Sequence, residues 1–250
     1  MSGHSKWSTI KRKKGALDAK RGKMFSRLSK EITIAVKEGN SGDPEGNPRL
    51  RLAIQNAKGS NMPKDNIERA IKKGLGGDVE SYIEQTFEGY AAHGVAVFVE
   101  CLTDNQNRTV QEVRAAFNKC NGSLGTNGSL EFIFDRKGVF SLPLPEDMDQ
   151  DEFQLEIIDA GAEDVVIEDA FITVFCQMED FGSLNKKFEE LGLSLENAEL
   201  QRIPNTTKDL DDEGFKEVMK LIDILEDNDD VQKVWHNLEV GDGQEELLEN

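Results

Sequence analysis

Histidine and cysteine are scarce, with three of each in 250 residues. His4, His93 and His236 stand far apart, with no second ligand beside any of them. Cys101, Cys120 and Cys176 are odd in number and form no CxxC. These spacings supply neither a zinc site nor a disulfide framework. Cys101 and Cys176 sit in apolar runs, where a thiol serves as core filler, and this usage fits a reducing cytoplasm. No run of about 18 apolar residues occurs, so no segment reads as a membrane span. The basic N-terminus has no apolar h-region and is no secretory signal. HExxH, GxSxG, P-loop and GxGxxG strings are all absent. Paired carboxylates abound only because the last two thirds of the chain is acidic, and a solvated surface accounts for them. The expectation is a protein that is not an enzyme, with no cofactor and no metal. C2H2 spacing, an RNP1 string and a bZIP heptad are missing too.

What the chain does have is charge, unevenly placed. The net is −18. Residues 1–77 carry 18 Lys and Arg against 7 Asp and Glu, and residues 78–250 carry 12 against 41. A basic end on an acidic body points to one part meeting a polyanion. The acidic part keeps the chain soluble and repels nonspecific contacts with nucleic acid.

Periodicity divides the chain at the same place. Residues 1–17 read as a polar basic arm. Asp18 caps a helix running to about Glu38. Its apolar stripe is Phe25, Leu28, Ile32, Ala35 and Val36, and Lys20, Lys23, Arg27, Lys30 and Lys37 lie opposite. A second helix covers about 48–58. Pro63 opens a third, with Gly74 as its C′ residue. After residue 78, strands alternate with helices. Strands are expected at 95–102, 130–134, 139–142, 164–168, 171–176, 198–203 and 231–239. Helices are expected at 107–121, at 149–160, after a Ser183 cap, and along Phe215, Val218, Met219, Ile222 and Leu225. Residues 136–205 thus follow the β-α-β-β-α-β order of a ferredoxin-like unit. Residues 86–135 give only the first part of another, completed by 213–239. The expected fold class is α+β: an N-terminal three-helix bundle followed by two ferredoxin-like α/β domains, one inserted into the other. The expected boundaries are 1–78 for arm and bundle, 79–135 with 206–244 for the first α/β domain, 136–205 for the inserted one, and 245–250 for an acidic tail.

The basic region carries the sharpest functional signal. Lys6, Lys11, Arg12, Lys13, Lys14, Lys20, Arg21, Lys23, Arg27 and Lys30 fall within thirty residues, against the single acid Asp18. Cations at this density neutralise phosphates and release counterions. Trp7 is placed to stack on an unpaired base, a device used more on RNA than on duplex DNA. A solvated basic tail and a membrane-surface helix are the competing readings of the same residues. Two loops are ambiguous as well. Residues 121–129, rich in Gly and Asn, suit either a phosphate cradle or a turn-rich connector. Residues 104–109 suit either a helix cap or an exposed polar loop.

At these residues the chain resembles a known family. Gly3-His-Ser-Lys-Trp7, Ile10-Lys-Arg-Lys-Lys14 and Asp18-Ala-Lys-Arg-Gly-Lys23 are similar to the opening of the YebC/PmpR family. That family includes the mitochondrial translational activator of cytochrome c oxidase subunit one. Asn56-Ala-Lys58 and the run from Met62 to Gly74 resemble its second signature. Thr103-Asp-Asn105, Asn107-Arg-Thr109, the run from Gly122 to Ser129 and Arg136-Lys-Gly138 resemble its middle blocks. One departure stands out. After Glu88-Gly-Tyr90 the family usually has Gly-Pro-x-Gly, and this chain has Ala91-Ala-His-Gly94.

The resemblance implies three domains and control of gene expression through nucleic acid. Family members are described both as DNA-binding transcriptional regulators and as ribosome-associated translation factors. The lean here is to translation, with rRNA and the ribosome as partner, because no major-groove reader is recognisable. A duplex-DNA regulator is the first alternative and a protein-interaction module the second. The family signature starts at residue 3, which favours a bacterial cytoplasmic protein over a precursor. No membrane contact is expected, and the chain is expected to be a monomer or weak homo-oligomer.

Overall fold

The computed structural model describes residues 18–76, 82–145, 149–168, 170–241, 243, 244 and 247. Helix α1 spans Asp18–Gly39, α2 Pro48–Gly59 and α3 Lys64–Leu75. One stretch of α1 is sealed all round: Ile32, Thr33, Ile34, Ala35 and Val36 are all buried, whereas Phe25 and Leu28 of the expected stripe are only half-buried. Asn47 joins α1 to α2. Its side chain accepts from the Leu50 N–H at 3.1 Å, capping α2, and donates to the Ala35 carbonyl at 2.7 Å. Both duties need a short amide side chain, since no hydroxyl offers a strong acceptor and two donors together.

Gly74 lies inside α3 rather than beyond its end, and Gly76 is the capping residue. Its role is close approach: a Cβ there would meet Val36 and the Thr33 carbonyl at 2.7–2.8 Å. The helix continues past the glycine because the tight contact with α1 offsets its poor helix propensity.

Beyond the helices come β1 (Ile83–Tyr90), β2 (Ala96–Thr103), α4 (Gln106–Lys119), β3 (Ser123–Leu124), β4 (Phe134–Pro143), α5 (Gln150–Asp159), β5 (Ala162–Glu168), β6 (Phe171–Gln177), α6 (Phe181–Glu190), β7 (Asn197–Pro204), α7 (Asp212–Asp227) and β8 (Val231–His236). They build two four-stranded sheets, ordered β3-β1-β2-β8 and β5-β6-β4-β7. The second order, with α5 and α6 as crossovers, is ferredoxin-like. Its core gathers Phe140, Ile172 and Val174 of the sheet, Ile157 of α5 and Phe188 of α6. The first sheet buries Val97, Val99 and Val234 against Phe117 of α4 and Phe215 of α7. Each such ring or branched chain contributes about 1.5–3 kcal/mol on leaving water.

The chain thus combines a helical bundle with two four-stranded sheets, the second ferredoxin-like and sequence-inserted between β3 and α7 of the first, whose β1–β2 hairpin sets it apart from the expected ferredoxin-like order. The described residues within 1–27, 80–135 and 203–250 form one compact unit, and those within 28–79 and 136–202 form another. In the second unit α2 reaches the sheet directly: Leu52 packs on its core, and Asn56 bonds Ala198 of β7.

Three local expectations are corrected. Residues 130–133 are turns, and only Phe134 of the expected 130–134 strand belongs to a strand, the long β4. Ser183 does not cap α6, which starts at Phe181 after a short 3-10 turn, Met178–Asp180. Periodicity points to no strand before Val95, yet β1 pairs antiparallel with β2 from Ile83↔Thr103 to Tyr90↔Ala96.

Candidate nucleic-acid interface

The basic residues divide by where they fall. Lys6, Trp7, Lys11, Arg12, Lys13 and Lys14 lie outside the described residues, and Lys20 lies in α1 with its side chain outside them. Arg21 is exposed on the first turns of α1. Lys23 and Arg27, one turn apart on the same face, both reach the C-terminus of α7. Lys23 donates to the Asp227 carboxylate at 2.6 Å and to the Asp227 carbonyl at 3.3 Å. Arg27 donates to the Glu226 carbonyl. Helix α7 has no basic residue in its own last turn, so these cations satisfy its terminal carbonyls and the negative end of its dipole. Lys30 is half-buried and also engaged.

A second group of cations escapes a reading of sequence windows. Lys119 at the end of α4 and Lys216 and Lys220 on α7 line a groove of about 400 Å³. Ile224 and Leu247 give it partly exposed apolar surface over the buried Phe215 and Met219, and Asp223 and Asp227 lie on the same helix further along. Lys119 and Lys216 form no ion pair with a described residue, and Lys220 acts on Glu217 only through space. The i,i+4 spacing of Lys216 and Lys220 was the one available signal, submerged in an acidic stretch.

The 121–129 loop resolves as a connector. The buried Glu88 carboxylate accepts from the N–H groups of Gly128 and Leu130, each at 2.7 Å. The Gly128 and Leu130 donors are thereby taken by a carboxylate, whose like charge would repel a phosphate. Residues 104–109 serve as a cap: Asn105 accepts from the Arg108 N–H at 3.1 Å. The Arg108 guanidinium donates to Asp104 and to the buried Asp230, which also receives the hydroxyls of Thr103 and Thr109 at 3.0 and 2.8 Å. Burial pushes the Asp230 carboxyl up, but these donors outweigh it and hold it below the usual range. The guanidinium is raised in turn, first by its bond to Asp230 and then by its bond to Asp104.

The departing turn Ala91–Gly94 closes the β1–β2 hairpin without the Gly-Pro pair. Its Ala91 N–H donates to the Val95 carbonyl at 2.8 Å. His93 takes φ of 59°, a left-handed value rare outside glycine. Its Nε2 meets the Glu217 carboxylate at 3.0 Å, which also accepts from the Asn121 amide at 2.7 Å. Hydrogen bonds from Asn121 and then His93 hold the Glu217 carboxyl below its ordinary range.

Among the described residues no group of three His, Cys, Asp or Glu could hold a metal, and no helix is long and apolar enough to cross a membrane. All three cysteines are buried, and burial pushes the Cys176 thiol up to about 11.

Comparison with known proteins places the whole chain. Residues 5–77 match the TACO1/YebC protein N-terminal domain, and residues 82–238 match the TACO1/YebC second and third domain. The chain belongs to the TACO1/YebC family. A TACO1/YebC relative from Amoebophilus asiaticus is 53% identical over 240 residues, covering 95% of this chain and 98% of the relative. Another, YrbC of Bacillus subtilis, is 49% identical over 239 residues, covering 95% and 99%. Both bear the name "Probable transcriptional regulatory protein". Among solved structures, the conserved hypothetical protein Aq1575 from Aquifex aeolicus is 42% identical, with a TM-score of 0.79 over 90% of this chain and 93% of that one.

Proposed function

We propose that this TACO1/YebC chain regulates gene expression by binding nucleic acid, and that it does so in translation, on ribosomal RNA. It acts by binding rather than by catalysis, in the cytoplasm, as a monomer or weak homo-oligomer. The observation that carries this reading is the separation of charge: ten cations against one acid in the first thirty residues of a chain whose net charge is −18. Lys6, Lys11, Arg12, Lys13, Lys14, Lys20, Arg21, Lys23, Arg27 and Lys30 contact phosphates, and Trp7 stacks on an unpaired base. Residues 1–78 form the binding domain. The two acidic α/β domains contribute shape, spacing or a protein contact.

The relatives' name favours a second reading, a DNA-binding transcriptional regulator. It requires one duplex sequence to be bound about 10³-fold or more above nonspecific DNA. Cosedimentation with purified ribosomes separates the two. The test pairs the full chain with a variant in which Lys11, Arg12, Lys13 and Lys14 are reversed in charge, and adds a duplex DNA competitor. Saturable binding that the variant loses and duplex DNA leaves intact is the expected result. Absence from ribosomes, with tight binding to particular promoter fragments, overturns the translational reading.

A further inference from the structure

We infer that the lysine-rimmed groove along α7 is a second phosphate-binding surface, which holds a single-stranded stretch of the RNA engaged by the N-terminal arm. This rests on the RNA-binding reading and extends it to residues far from the arm in sequence.

Three observations meet at the groove. The first is unspent positive charge. Lys119, Lys216 and Lys220 converge on one groove in the acidic part of the chain, and no described carboxylate pairs directly with any of them. Cations left without a carboxylate partner are the groups that a phosphate neutralises, with release of its counterions. The second is the floor. Ile224 and Leu247, both partly exposed, line the groove beyond the lysines, over the buried Phe215 and Met219. A ribose or an unpaired base face packs on such a surface while its phosphate meets the lysines, whereas duplex bases have their faces occupied by stacking. The third is continuity with α1. Asp227 lines the same groove and is the residue that Lys23 grips, with Arg27 beside it on the Glu226 carbonyl. Lys23 and Arg27 of α1 therefore abut one end of the groove and the three lysines mark the other. Asp227 is paired with Lys23, and Asp223 is also engaged, so neither carboxylate faces the groove unpartnered.

The test measures affinity of the full chain for a fluorescent single-stranded RNA oligonucleotide across a salt series. It compares the native chain, a Lys119→Gln, Lys216→Gln, Lys220→Gln triple variant, and a control neutralised at Lys186, Lys187 and Lys208. Each phosphate contact on a single strand contributes about 0.7 to the slope of log K against log salt, so losing three reduces the slope by about 2. The triple variant is expected to show that reduction, the control to keep the native slope, and arginine at the three positions to restore it. A native slope in the triple variant, or an equal reduction in the control, overturns the groove while leaving the arm's role standing. A loss seen with duplex DNA and not with RNA overturns the assignment of its ligand. If the native chain binds no RNA at all, the functional reading and the groove both fail.

Discussion

The Lys23 ammonium donates to the Asp227 carboxylate at 2.6 Å, across 204 residues of sequence. One cation of the basic stripe is therefore engaged at home before any nucleic acid arrives. The pair is exposed, with side-chain exposures of 42% and 74%, and such pairs add about 0–1 kcal/mol to stability. Its main effect is on binding. Asp227→Asn is expected to free Lys23, tighten RNA binding and steepen the salt slope by about 0.7, with a change in stability under about 1 kcal/mol. Weaker RNA binding by this variant would show that the pair positions Lys23 rather than occupying it.

Asn56 sets the attachment of α2 to its sheet. Its amide donates to the Ala198 carbonyl and accepts from the Ala198 N–H, both at 2.9 Å. It stands in for a neighbouring strand at that point of β7. Asn56→Ala leaves both backbone groups buried and unpaired, and is expected to cost about 1–3 kcal/mol in denaturant unfolding. Asn56→Asp keeps the acceptor and loses the donor, and is expected to rescue none of that.

Asp230 makes stability depend on pH. Its carboxyl is held below the ordinary aspartate value of about 3.9 in the folded chain. Acidification therefore protonates the unfolded state first. The contribution is fully present above about pH 4 and is lost as pH falls through the folded value. Asp230→Asn leaves the buried Thr103 and Thr109 hydroxyls without their charged acceptor. It is expected to cost about 1–3 kcal/mol at pH 7, with the gap from the native chain closing in acid unfolding curves below pH 4.

Glu88 holds the 125–133 segment through the Gly128 and Leu130 N–H groups. Glu88→Ala is expected to raise amide hydrogen exchange at those two residues by about tenfold or more, as each loses a charge-assisted bond worth about 1.5–3 kcal/mol. RNA affinity is expected to stay at the native level. A fall in affinity alongside the loosened loop would return a binding role to residues 121–129.

Much of the architecture was legible in the sequence because burial leaves a period. The α1 to α3 helices, the β-α-β-β-α-β order of 136–205 and the α7 stripe all follow from where apolar side chains recur. The misses share one physical cause, contacts that leave no period. Strand β1 reads as polar through Glu84, Gln85, Thr86 and Glu88, yet it is held by full pairing with β2. Gly74 looks like a helix end and is instead a close approach to α1.

For the interface the division is similar. Sequence alone determined that the first thirty residues are strongly cationic, since charge is a property of composition, and it carried the family resemblance motif by motif. Only the tertiary structure decided which cations are occupied and which are free to act. Lys23 and Arg27 meet the carbonyl end of α7, and Lys119, Lys216 and Lys220 come together from two helices nearly a hundred residues apart in the chain. A charge reports its sign in the sequence, but its partner is set by packing, because Coulomb attraction acts through space and takes no account of chain order.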